Sequence, residues 1–401
     1  MSGTLHPDAG DPAVRDRAAG RLVGIDLARL VAVAGMMAAH TLGSAEAMPA
    51  AVVALVDGPP STLFAVLGGV SVTLAGRARL VAGDRGGAVR ATLARGAVVA
   101  LLGVLIAPLA TAVYVVLVPF GVAIALAAPL LLAPSWLLAT LATAIVLGGG
   151  SVVTWAGSHL PSLHRASDVF GPLESLLPAV NDVLLTGVYP ALIWLGYLLI
   201  GMLLMRGLLA ARAAGTERAM LTRVAGAGAL LTGIGVAMSE LGVLLLSDVV
   251  APGEPSVARD WLLSNGYGAA PDEGPLWQLL AAPHTGTPAD MARTAGIALL
   301  AIGLLGLLVQ RCSPRTLRAI EPLRAAGGAP LTIYIVHVVG YSLAAGLLIE
   351  VAPAIVSGWG GWAVQVAIAL AIGAVLAASG ARGPFERLVG RAASLAAGER
   401  R

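Results

Sequence analysis

The chain of 401 residues contains no lysine, so all 25 of its basic residues are arginines, and only 12% of its residues are charged. A soluble globular domain usually carries about 25% charged residues. Apolar residues make up 58% of the chain, and its mean hydropathy is +0.88. One soluble core cannot bury this much apolar surface, whereas a bilayer can accommodate it. The composition therefore predicts an integral membrane protein.

Cysteine is almost absent as well, since Cys312 is the only one. This excludes a disulfide framework and a metal site built from cysteines. The sequence also has no G-x-S-x-G, H-E-x-x-H or Walker A motif, so we expect no metal. The sequence pI near 9.4 is no sign of nucleic-acid binding, because the arginines lie between apolar runs rather than on one soluble face.

Ten apolar segments are long enough to cross a bilayer, which takes about 20 helical residues. The pattern predicts an all-α, polytopic membrane protein with about ten transmembrane helices. The first apolar run has no small-residue cleavage pattern at its end, so it is interpreted as a retained helix. The ten segments are 22–42, 60–80, 92–110, 113–133, 136–156, 187–205, 224–246, 291–310, 329–350 and 362–381.

Arginines concentrate after the second, sixth and eighth segments and in the C-terminal tail, whereas acidic residues concentrate in the opposite loops. The positive-inside rule then predicts that both termini are cytoplasmic. Arginine as the only basic residue also fits a GC-rich bacterial genome, so we expect a bacterial cytoplasmic membrane. The predicted organisation is a disordered tail (1–20), a membrane domain (21–391) with long outer loops (157–186 and 247–290), and a second cytoplasmic tail (392–401).

The first apolar segment holds three ionisable residues: Asp26, Arg29 and His40. Charges inside a span are costly and usually face a protein interior or an aqueous cavity. At about 100° per residue the three side chains share one stripe of a helix, and His40 lies roughly 16 Å beyond Arg29 toward the outer face. Either Asp26 and Arg29 form an ion pair that fixes helix packing, with His40 at the interface, or the stripe is functional.

The spacing D-x-x-R-x(10)-H formed by these residues resembles the membrane-bound acyltransferase superfamily. Its members include the acyltransferase-3 family, whose hallmark is the R-x(10)-H element, and the heparan-α-glucosaminide N-acetyltransferase-like proteins. Other short segments resemble parts of these proteins or of a related family of bacterial membrane proteins of unknown function. These segments are 57–77, 283–300, 327–340 and 383–391.

This resemblance implies an enzyme that takes an acyl group, acetyl in the first instance, from cytoplasmic acyl-CoA to an amine or hydroxyl of an envelope sugar or glycan. Heparan acetyltransferases have an asparagine where His40 falls, and their implicated histidine lies in the following outer loop. That region of this chain has no histidine. The resemblance therefore implies that His40 takes this role as the base. Arg29 either contacts the pantetheine or phosphate groups of the donor or only orients Asp26.

Further candidates lie elsewhere in the chain. His337, with Tyr334 and Thr332, is either a second polar cluster on the acyl-CoA path or a satisfied histidine between helices. His284, in an outer loop, either contacts the acceptor or anchors the loop.

Inner arginines, Arg77 and Arg95 among them, either bind the donor's phosphates or only set topology. Two other interpretations of the whole chain stay open: a transporter of a small molecule and a non-catalytic envelope protein. A homodimer is also left open.

Overall fold

The computed structural model describes residues 12–42, 49–162 and 175–399, and all regular elements in these ranges are helical. Single turns of 3-10 helix (Ala107–Leu109 and Pro275–Leu279) and of π-helix (Asp182–Thr186) connect some of them. The helices are α1 (Pro12–Leu42), α2 (Ala50–Val56), α3 (Pro59–Val81), α4 (Arg85–Ile106), α5 (Leu117–Leu130), α6 (Ser135–His159), α7 (Leu176–Asn181), α8 (Ala191–Ala213), α9 (Glu217–Val250), α10 (Pro255–Leu262), α11 (Pro288–Val309), α12 (Pro314–Ala319), α13 (Glu321–Gly327), α14 (Pro330–Leu348), α15 (Pro353–Val356), α16 (Gly358–Ser379) and α17 (Pro384–Ala396).

Within the described residues, nine helical stretches are long and apolar enough to cross a membrane. The prediction of an all-α, polytopic membrane protein is confirmed. The nine stretches are Val23–Leu42, Ala51–Val81, Arg85–Leu109, Ser135–His159, Ala191–Ala213, Glu217–Val250, Pro288–Val309, Pro330–Leu348 and Gly358–Ser379.

The predicted segment 113–133, the fourth in chain order, is not among these nine stretches. Its helix, α5, has 14 residues, fewer than the about 20 that a span needs. The chain before α5 is not helical, and the backbone N–H of Val116 there donates a hydrogen bond to the Tyr334 hydroxyl, at 3.2 Å. Pro129 lies in the last turn of α5, and proline does not favour continuation of a helix. Apolar composition alone does not reveal either interruption.

Glycines allow the central helices to approach closely. A Cβ atom at Gly69 of α3 would meet the backbone of α8, and one at Gly201 of α8 would meet the backbone of α3. Gly228 of α9 and Gly296 of α11 face each other in the same way. Because helices in lipid associate mainly through van der Waals packing, small residues at the contact are what such close crossings need.

The two ends of the bundle differ in charge. One end carries α12, α13 and α17 with their arginines, and we refer to it as the arginine-rich end. It is the predicted cytoplasmic end. The opposite end carries α7, α10 and the segment that leads to α11.

The predicted tails and loops extend beyond the described residues in part. α1 begins at Pro12, inside the predicted N-terminal tail, while residues 1–11 lie outside the described ranges. Residues 163–174 of the first predicted outer loop also lie outside them. The second predicted outer loop contains the C-terminal turn of α9, α10 and the turn Pro275–Leu279.

Candidate active site

Two histidines from distant parts of the sequence meet at the opposite end of α1 from its charged residues. His40 lies in the last turn of α1 and His337 in the second turn of α14. The Nδ1 atom of His40 lies 2.8 Å from Nε2 of His337, with the two ring planes within 4° of parallel. His337 is 1% exposed, whereas His40 is partly exposed. The sequence suggested two separate polar clusters, but the structure joins them into one.

Two more side chains complete this cluster, and the sequence analysis missed both. Gln365 of α16 presents its Oε1 to Nδ1 of His337 at 3.2 Å. The Tyr341 hydroxyl donates to the backbone carbonyl of His40 at 2.8 Å. A lone amide inside an otherwise apolar span was the signal for Gln365, because buried polar groups in lipid need a partner.

The other predicted residues of α14 have different neighbours. Tyr334 lies one turn before His337, is 1% exposed and accepts the N–H of Val116 through its hydroxyl. Thr332 lies at the start of α14, where its hydroxyl donates to Glu386 of α17 at 2.5 Å. Thr332 therefore belongs to the arginine-rich end and makes no hydrogen bond within the histidine cluster.

The charged residues of α1 form a cluster of ion pairs at the arginine-rich end. Asp26 accepts from Arg29 at 2.6 Å and from Arg324 of α13 at 3.3 Å. Arg29 also donates to the Ser71 hydroxyl of α3 at 3.0 Å. The two hydrogen bonds from Arg324 hold the pKa of Glu321 below its usual range. The predicted ion pair is thus present, and it ties α1 to α3 and α13.

A histidine–carboxylate contact lies near the histidine cluster. Nε2 of His284 is 3.1 Å from Asp57, and the Asn265 amide donates to the same carboxylate at 3.3 Å. His284 has a φ of +61°, a region that only glycine adopts at low cost. Tyr189 packs edge-on against its ring, with centroids 5.2 Å apart. His284 also lies near His40.

His284 lines a small cavity of about 30 Å³ between α3, α8 and α11. Its walls include Tyr189, which precedes α8, Tyr197 of α8, Thr62 of α3, and Asp290 and Thr294 of α11. Tyr197 and Thr294 are joined through their hydroxyls at 3.0 Å. A cavity of this size can hold water, or one functional group of a ligand that enters from outside.

The predicted phosphate-binding arginines lie apart from the ion-pair cluster of Asp26 and Arg29. Arg77 lines a cavity of about 420 Å³ together with Thr73 and Arg206. Thr73 and Arg77 lie about 200° and 240° around α3 from Ser71, the partner of Arg29, so this cavity is on the other face of that helix. Arg95 lies in α4, and its Nε atom is buried without a hydrogen-bond partner among the described residues. In the described part of the chain, no group of three His, Cys, Asp or Glu side chains has the arrangement of a metal site.

Comparison with protein families gives one match that covers more than half of the chain. Residues 21–236 match the family described as heparan-alpha-glucosaminide N-acetyltransferase, catalytic. The matched region includes Asp26, Arg29, His40 and Asp57, and it ends before His284 and His337. Searches of the curated proteins and of the solved structures found no match.

Proposed function

Because this chain belongs to the family of the heparan-alpha-glucosaminide N-acetyltransferase catalytic domain, we propose that it transfers an acyl group across the membrane. The donor is a cytoplasmic acyl-CoA, acetyl-CoA in the first instance. The acceptor is an amine or hydroxyl of a sugar or glycan on the other side. The observation that carries this proposal is the His40–His337 pair at the end of α1 remote from the arginines, with His40 partly exposed.

The chemistry of acyl transfer assigns a role to His40. As the acceptor nitrogen or oxygen bonds to the thioester carbonyl carbon, a base must take its proton. The carbon–sulfur bond then breaks, and the leaving thiolate receives a proton. Histidine is the side chain best suited to take and return a proton near neutral pH. His40 performs both transfers in this proposal, and buried His337 holds its ring in place.

Arg29 and Asp26 mark the donor's side of the route. Arg29 lies about 16 Å from His40 along α1, a length comparable to an extended pantetheine arm. We assign Asp26 a positioning role, since its carboxylate is held by Arg29 and Arg324. Arg29 is assigned to positioning and to contact with the donor's arm. The phosphate-binding roles of Arg77 and Arg95 stay predictions.

His284 is assigned to the acceptor's side. It lies near His40, is held by Asp57 and lines the small cavity with Tyr189. Its contact with Asp57 fixes the ring while one ring nitrogen has no partner within the described residues. In this position the ring can hydrogen-bond to the acceptor as it approaches His40.

The test uses the purified protein in liposomes with radiolabelled acetyl-CoA on one side and a panel of amino sugars and neutral sugars on the other. We expect the label to appear in a sugar on the side away from the donor. Thermal stabilisation by acetyl-CoA, and not by free sugars, separates an acyltransferase from a sugar permease, because a ligand stabilises the protein that binds it. If the protein shows neither acyl transfer nor stabilisation by acetyl-CoA, the proposal is refuted.

A further inference from the structure

Gln365 is the only polar side chain of α16 between Trp362 and Ser379. It is 6% exposed and faces the interior of the bundle. An amide buried in an apolar environment without a hydrogen bond is destabilising, so its contact with His337 is what offsets its burial. In the structure the amide oxygen faces Nδ1 of His337 at 3.2 Å, and this orientation of the amide sets where the hydrogens of the histidine cluster lie.

The order of donors and acceptors follows from the atoms in contact. The amide oxygen of Gln365 can only accept, so Nδ1 of His337 carries the hydrogen. A neutral His337 then has a lone pair on Nε2, and the 2.8 Å contact requires Nδ1 of His40 to carry its hydrogen. Nε2 of a neutral His40 is left without a proton. This is the nitrogen that a base needs.

We propose that Gln365 is a positioning residue that sets the tautomers of His337 and His40 and so makes Nε2 of His40 the base. This proposal rests on the acyltransferase function proposed above. If the amide were turned, so that its nitrogen donated to His337, each hydrogen would move along the chain and Nε2 of His40 would be protonated. The orientation of one amide thus decides whether His40 accepts or donates a proton.

The row of hydrogen bonds from His40 through His337 ends at the neutral amide of Gln365, and this has a second consequence. Gln365 cannot take up a proton, so a proton taken from the acceptor stays on the two rings. Among the described residues, the titratable groups next to these rings are Tyr341 and His284, and no carboxylate or arginine hydrogen-bonds to either ring. A proton held without a paired carboxylate is easily released, which suits its return to the leaving thiolate.

The first test reads the tautomers without any assay of activity. The protein has six histidines, so nitrogen NMR of histidine-labelled protein in bilayers gives a small set of signals. His40→Ala and His337→Ala assign two of them. We expect His337 as the Nδ1–H tautomer and His40 with an unprotonated Nε2. A protonated Nε2 on neutral His40 would overturn the proposal, whatever the enzyme is found to catalyse.

The second test removes the acceptor but keeps the shape. Gln365→Met should release the tautomers, lowering kcat by about 10²-fold, the low end of general-base catalysis, with little change in KM. Its histidine signals should show mixed tautomers, whereas a defect that is only structural would lower the melting temperature and leave both tautomers as they are.

Gln278→Met is the matched control, because Gln278 is also buried but has no hydrogen-bond partner among the described residues. It should leave kcat and both tautomers as they are. Unchanged kcat and tautomers in Gln365→Met would refute the role of Gln365. Fixed tautomers in a protein that transfers no acyl group would refute the proposed function and leave the hydrogen-bond order intact.

Discussion

The two polar clusters on α1 differ in kind. At the arginine-rich end, Asp26 is shared by two arginines from different helices, and each charge meets an opposite one. At the other end, His40 belongs to a chain of neutral groups that closes on an amide. One cluster is satisfied by charge pairing, while the other leaves a ring nitrogen of a partly exposed histidine available.

This difference suggests a division between stability and chemistry. A buried ion pair stabilises little by itself, but loss of one partner leaves an unpaired charge and is costly. A neutral histidine costs less to bury and can change its protonation state during a reaction. We therefore expect changes near Asp26 to act mainly on folding and changes near His40 mainly on turnover.

His40→Ala should have the largest effect on activity. Loss of the base should lower kcat by about 10²–10⁴-fold, while the melting temperature stays close to that of the unaltered protein. The measurement is acetyl transfer in liposomes at equal protein content. His159→Ala is the control, since that histidine is exposed at the end of α6 and its partners in the described part of the chain are Trp155 and Glu273. Full activity in His40→Ala would show that the histidine cluster does not carry the chemistry.

Much of this arrangement follows from the sequence alone. The apolar runs give the class of fold, and the spacing of Asp26, Arg29 and His40 places the charged pair and the histidine at different depths of one helix. The family resemblance of the first helix agrees with the match over residues 21–236. These features are local, and helical periodicity is enough to read them.

The rest depends on contacts between helices that are remote in sequence. His337 meets His40, and Gln365 meets His337, only because α14 and α16 both pack against α1, and no periodicity within one helix encodes that. Likewise, Arg324 reaches Asp26 from α13. The sequence predicted a full span at 113–133 where the structure has only the short helix α5. Before α5 the chain is not helical, and its backbone N–H at Val116 is satisfied by the Tyr334 hydroxyl instead.

Asp26→Ala should have the largest effect on stability. It leaves Arg29 and Arg324 without their shared carboxylate, and breaking a buried ion pair in this way costs about 3–5 kcal/mol. We expect a clearly lower melting temperature in detergent, with kcat of the folded fraction changed far less than in His40→Ala. Glu240→Gln provides the control, because its ion pair with Arg259 is exposed and should contribute at most about 1 kcal/mol. A normal melting temperature with lost turnover would show that Asp26 acts in the reaction rather than in folding.

Glu386→Gln tests a connection between the N-terminus of α14 and the histidine cluster. The Glu386 carboxylate accepts the N–H groups of Leu331 and Thr332 and the Thr332 hydroxyl, so α17 caps the helix that carries His337. Loss of its charge should cost about 1–2 kcal/mol, as expected for a carboxylate at a helix N-terminus.

The melting temperature and kcat of Glu386→Gln are measured together. We expect a moderate loss of stability and a small loss of turnover, through the position of His337. Glu399→Gln is the matched control, since that carboxylate pairs with Arg79 at an exposed site on the same end. Equal effects of the two changes would show that the cap does not contribute more than a surface ion pair.

The smallest effect should come from Gln278→Met, and its sign should be opposite. Gln278 and Gln365 are both buried glutamines, but neither amide atom of Gln278 has a partner among the described residues. Replacing an unsatisfied buried amide by an apolar side chain of similar shape should raise stability by about 1 kcal/mol. Gln365→Met should not, because it removes a hydrogen bond and leaves Nδ1 of His337 unpaired. A lower melting temperature for Gln278→Met would mean that this amide has a partner after all, and that burial of glutamine in this bundle is not in itself a sign of function.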